Sequence, residues 1–145
     1  MGQDDYIDGL ETDDDKEKEG LLRSRIAKKW KVDLKEIPST YCLDWAITRD
    51  ERIVGWVEAK CRKHIYGKYP TYMIAMKKWN AFREFNATSH LKGFLIVEFT
   101  DGDYWLNTAD VKDQYFAIGG RKDRNLRKDQ EPCVFFDIKY FKRFK

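Results

Sequence analysis

Three ionisable side chains stand where strands would bury them. Asp44 lies within Tyr41-Cys42-Leu43-Asp44-Trp45-Ala46-Ile47-Thr48, and Glu58 and Lys60 end the run Ile53-Val54-Gly55-Trp56-Val57-Glu58-Ala59-Lys60. Acids are poor strand formers. An acid in an apolar setting is costly unless it is paired or holds a metal. Alternate residues of a strand share a face, so Glu58 and Lys60 point the same way. A metal site is the most economical reading of two carboxylates and an ammonium on adjoining strands. The plainer reading is a solvated strand face, and Asp44 between Leu43 and Trp45 weighs against it.

The elements that must position these groups follow from apolar spacing. Residues 16 to about 31 read as a helix, with Leu21, Leu22, Ile26 and Trp30 on one side. Val32 to Ile37 reads as a short first strand that ends before Pro38. Tyr41 to Thr48 and Ile53 to Lys60 read as an antiparallel hairpin through the charged turn Arg49-Asp50-Glu51-Arg52. That hairpin can bring Asp44 to Glu58, but its register is not fixed by sequence. A second helix is predicted from Pro70 to about Ala87, with Ile74, Lys78, Trp79, Phe82 and Phe85 as its more apolar stripe. Phe94 to Phe99 is a near-continuous apolar run of the kind a central strand shows, and Asp101-Gly102 marks a turn to a partner over Tyr104 to Asn107. Tyr115 to Ile118 and Cys133 to Ile138 are further strand candidates.

Length and charge narrow the class. The chain has 145 residues, 22 of them aromatic, which is enough for one domain with a real core. Residues 1–15 hold seven acids and no Lys or Arg, and read as a disordered acidic arm before a single domain over 16–145. The remainder carries 28 basic against 18 acidic residues, a balance of +10 that suits a polyanionic partner, nucleic acid above all. Two basic segments fit such a partner. One holds Arg62, Lys63 and Lys68 just after the motif, with Tyr72 beyond as a base-stacking candidate. The other holds Arg121, Lys122, Arg124, Arg127 and Lys128 between Gly119 and Gln130. No apolar run reaches the roughly 18 residues of a membrane span. The three widely spaced cysteines match neither a disulfide framework nor a zinc pattern, so a cytoplasmic, reduced protein is expected.

An Asp, about a dozen residues, then Glu-x-Lys on a strand, with a Lys-bearing helix after it, resembles the PD-(D/E)xK nuclease superfamily. Asp44, Glu58 and Lys60 match in order, spacing and strand context; Leu43 stands where the motif's name has proline. The resemblance covers roughly residues 16–107. It implies an α/β, restriction-endonuclease-like fold: a mixed central sheet flanked by helices (αβββαβ), here with a C-terminal β extension. It further implies Mg²⁺, with Mn²⁺ as a substitute, held by Asp44, Glu58 and the Ala59 carbonyl. Glu19 would be an added acid from the first helix, and Lys78 a cation from the second. Lys60 would orient or deprotonate the attacking water.

The expected function is therefore hydrolysis of DNA phosphodiester bonds, RNA being the less favoured substrate. Such nucleases often act as homodimers, which nothing in this sequence decides. Two rivals share the same residues. One is a non-catalytic nucleic-acid-binding module on this fold. The other is an interaction protein whose acidic arm mimics a polyanion.

Overall fold

The computed structural model describes residues 13–120 and 130–145. Helix α1 spans Asp13–Trp30 and is followed by strands β1 (Asp33–Glu36), β2 (Trp45–Arg49), β3 (Arg52–Cys61) and β4 (Thr71–Ala75). Helix α2 spans Met76–Ser89. Strands β5 (Lys92–Phe99), β6 (Gly102–Asn107), β7 (Tyr115–Gly120), β8 (Gln130–Asp137) and β9 (Lys142–Arg143) complete the chain. The helix start at Asp13 takes in the last three acids of the expected arm, and residues 1–12 lie outside the described residues.

The central sheet has the order β1-β2-β3-β5-β6-β9. Only the β3–β5 pair is parallel. The run Phe94 to Phe99 explains its central place, because both of its faces are covered. Ile96 meets α1 together with Leu22, Ile26, Trp45, Ile47, Val57 and Ala59. Leu95, Val97 and Phe99 turn to the other side and join Trp79 and Phe82 of α2 and Phe136 of β8. The sheet is thus a mixed layer between two helices.

Polar ties fix α1 on its layer. Arg25 reaches Asp103 of β6 through Nε at 2.9 Å and Nη2 at 3.1 Å, and Nη2 also lies 2.7 Å from Glu98 of β5. The hydrogen bond to Asp103 raises the guanidinium pKa above its ordinary value. At the helix end, Trp30 meets Phe94, Trp105 and Phe144 ring to ring.

Two expectations are corrected here. The second helix does not begin at Pro70. Thr71 to Ala75 is strand β4, in register with β8 from Thr71↔Asp137 to Ala75↔Cys133. The segment Thr-Tyr-Met-Ile is β-branched and aromatic, and a distant partner strand turns it extended. It belongs to a second sheet of order β4-β8-β7, which is the larger part of the C-terminal extension. Likewise, Tyr41 to Thr48 is not all strand. Ser39–Tyr41 forms a 3₁₀ turn, Cys42 takes a left-handed conformation (φ 67°), and β2 starts only at Trp45.

The approach of α2 to the sheet is set by a missing side chain. A Cβ at Gly93 would lie 2.4 Å from Phe82 Cδ1, so the ring occupies the space that any larger residue would need. Gly93→Ala is expected to push α2 off β5 and cost about 1–3 kcal/mol. The loss is read as a lowered urea midpoint with unchanged slope, and an unchanged midpoint would refute the contact's importance.

Candidate active site

Asp44 owes its position to the irregular backbone ahead of β2. The left-handed Cys42 closes the 3₁₀ turn through its N–H to the Ser39 carbonyl (3.0 Å) and redirects the chain. Leu43 is then buried in the core. The main chain of Asp44 is held from both sides: its N–H donates to the Val57 carbonyl (3.0 Å), and its carbonyl accepts from the Ile37 N–H (3.1 Å). Its carboxylate Oδ2 accepts a hydrogen bond from the Ala59 N–H at 2.8 Å.

The register that sequence leaves open is Trp45↔Val57, Ala46↔Trp56, Ile47↔Gly55, with a bulge before Thr48↔Ile53. One further step along this ladder sets Asp44 beside Glu58. On the next strand Glu58 pairs with Leu95 and Lys60 with Val97, so both side chains lie on the α2 face. Lys78, in the first turn of α2, places Nζ 3.4 Å from Glu58 Oε1. Asp44, Glu58, Lys60 and Lys78 therefore meet at one end of the sheet.

Glu58 is 9% exposed. Burial pushes its carboxyl well above the usual carboxylate range, and the neighbouring Asp44 charge raises it further. Lys78, by charge and hydrogen bond, and Lys60, by charge, pull in the opposite direction. Two carboxylates with a common cationic surround make a site that is poised for charge, and perturbed groups of this kind concentrate where chemistry occurs.

A cleft of about 350 Å³ opens beside Asp44. Glu19 of α1 lines it, with Lys16, Arg23 and Glu36. The first-helix acid thus shares a cavity with Asp44, whereas Glu58 does not line it. Among the described residues, no group of three or more His, Cys, Asp or Glu side chains is arranged to hold a metal ion.

The expected nucleic-acid contacts divide. Lys63 and Lys68 are exposed in the loop after β3. Arg62 is corrected: it is 4% exposed, its guanidinium lies over the Tyr72 ring at 5.2 Å, and Nη2 approaches the Met73 carbonyl at 3.4 Å. Tyr72 is corrected with it, since strand β4 buries its ring against Phe136 and Phe141. Charge counting missed this because a guanidinium over an aromatic ring can be interior. Arg121, Lys122, Arg124, Arg127 and Lys128 lie outside the described residues. His90 caps α2 in a left-handed conformation, with its N–H on the Asn86 carbonyl at 2.7 Å. Sequence reading did not find an apolar groove on the α2 side, walled by Tyr41, Trp56 and Phe85. The exposed aromatic at Tyr41, beside Pro38, was its one visible sign.

Comparison with known proteins gives a family and a fold. The family described as "Phage putative PDDEXK endonuclease" matches residues 6–144. Among solved structures, the fold resembles Hjc, a Holliday junction resolvase from the archaeal hyperthermophile Archaeoglobus fulgidus, with a TM-score of 0.51. The match covers 82% of this chain and 84% of that one at 10% identity, so the likeness is one of fold. No curated protein matches the chain. With nearly its whole length matched, the chain belongs to the phage PDDEXK endonuclease family.

Proposed function

We propose that this nuclease hydrolyses DNA phosphodiester bonds in a reaction that depends on a divalent metal, at the site formed by Asp44, Glu58 and Lys60. The observation that carries the reading is the meeting of two carboxylates on neighbouring strands, one of them buried and its pKa pushed up by that burial and then by the charge of the other. Such a pair fits Mg²⁺, which takes one or two carboxylates and fills its remaining positions with water and substrate oxygens. Asp44, Glu58 and the Ala59 carbonyl would hold the ion, with Glu19 reaching it through the cleft it shares with Asp44. Bound there, Mg²⁺ or Mn²⁺ supplies charge to the phosphate and acidity to a water.

The chain's own groups do the rest. The Ala59 N–H fixes the Asp44 carboxylate through Oδ2. Lys60 orients the attacking water and offsets charge on the phosphate oxygens. The water gives up a proton to solvent as its oxygen bonds to phosphorus, one ester P–O bond breaks, and the departing oxygen takes up a proton in its turn. Lys78 holds Glu58 in place and adds a second cation to the site. Lys63 and Lys68 stand ready for flanking phosphates.

Cleavage of plasmid DNA is expected with Mg²⁺ or Mn²⁺ and not in EDTA. Asp44→Asn and Lys60→Ala should each lower the rate by about 10²–10³-fold with the circular dichroism spectrum retained. Full activity in either variant, or cleavage in EDTA, would sink the mechanism.

A separate expectation concerns stability. The folded-state pKa of Glu58 is raised, so its ionisation opposes folding: stability is fully present below the unfolded pKa and is lost as pH rises through the folded one. Glu58→Gln should therefore raise the melting temperature of the metal-free protein at neutral and higher pH. The difference should vanish toward acid, where wild-type Glu58 is protonated. A variant less stable at every pH would contradict the burial argument.

A further inference from the structure

We propose that the apolar groove beside the catalytic carboxylates receives an unstacked nucleobase, which makes DNA with an unpaired nucleotide next to the cut the preferred substrate. The inference rests on the nuclease reading for the identity of the ligand, and its binding test does not depend on cleavage.

The groove has a volume of about 580 Å³, and its lining includes Ile37, Tyr41, Ile53, Trp56, Phe85 and Thr88. That volume is in the range of small-molecule pockets. Its floor is rigid. The Trp56 ring meets Phe85 edge to face, with centroids 4.6 Å apart. Trp56 Nε1 donates to Ser89 Oγ at 3.2 Å, so the indole's one polar atom is engaged. The walls face solvent: Tyr41 is 56% exposed and Ile53 43%.

Charge identifies the kind of group that fits. Among the described lining residues there is no Lys or Arg, and Glu84 is the one acid. A phosphate would find nothing to pair with and one charge to repel it. A base presents a flat π-face to Trp56 and Tyr41, and Glu84 can accept from an exocyclic amine.

Position identifies the source. Trp56 shares the face of Glu58 and precedes it by two residues, a step of about 7 Å along the strand. Ile37 lines this groove and also the cleft that holds Asp44 and Glu19. The two cavities therefore adjoin at Ile37. A strand with its phosphate at the carboxylates would lay a neighbouring nucleotide over the groove. In an intact duplex that base is stacked and paired, and it cannot turn into the groove without leaving the helix. An unpaired nucleotide avoids that cost.

The test uses the full chain in EDTA and two DNA probes, a duplex containing one unpaired 2-aminopurine and its fully paired counterpart. Wild type should bind the unpaired probe about tenfold more tightly, with a change in 2-aminopurine fluorescence on binding. Tyr41→Ala should remove roughly tenfold of that affinity, Tyr41→Phe should retain it, and cleavage of paired DNA in Mg²⁺ should be the same in both. Equal affinity for the two probes, or a Tyr41→Ala loss that is the same for both, overturns the proposal. Discrimination by a protein that never cleaves would support the base pocket while removing the nuclease reading. A second copy of the chain is the other candidate occupant. If sedimentation shows a dimer that Ile53→Glu dissociates, with discrimination unchanged, the groove is a contact between copies and the proposal fails.

Discussion

Two carboxylates of like charge, one of them buried, must be kept side by side, and the rest of the fold is arranged around that requirement. Left alone, the pair would relax by moving apart or by taking up a proton. The backbone prevents the first. Asp44 is tied at its N–H, its carbonyl and its carboxylate, through Val57, Ile37 and Ala59. Glu58 sits on a strand with neighbours on both sides, one of them parallel. Repulsion is then opposed by Lys78 and Lys60 instead of being relieved by motion.

The two helices serve this arrangement from opposite faces. α1 brings Glu19 to the Asp44 cleft, and its orientation is fixed by Arg25 across Glu98 and Asp103. α2 brings Lys78 to Glu58, and its distance from the sheet is fixed by Phe82 over Gly93. Each helix is thus also anchored by contacts outside the site.

Much of this was legible in the sequence. The apolar stripe of α1, the unbroken run of β5, the turn at Asp50 and Glu51 and the shared face of Glu58 and Lys60 all follow from local periodicity, which tertiary contacts here reinforce. Lys78 could be selected because its stripe is apolar. The register of β2 on β3 was not legible, since period 2 leaves every even shift open. The fate of Thr71 to Ala75 was also hidden. Pro70 and the following Met and Ala residues suit a helix start, and only pairing with β8 makes the segment a strand. Arg62 was misread for a related reason: a cation's burial depends on which aromatic ring folds over it.

The pairing of β4 with β8 also links the site to chain length. β4 leads directly into α2, so the helix that carries Lys78 starts where β4 ends. The partner that makes β4 extended lies near the far end of the chain, after β5, β6 and β7. Asp44, Glu58 and Lys60 can come together by closing a short hairpin, but the cation opposite Glu58 waits on a contact of long sequence separation, the slow kind to form. During synthesis Asp44, Glu58 and Lys60 precede the helix that carries Lys78, and the nuclease becomes whole only when nearly all of its chain is in place.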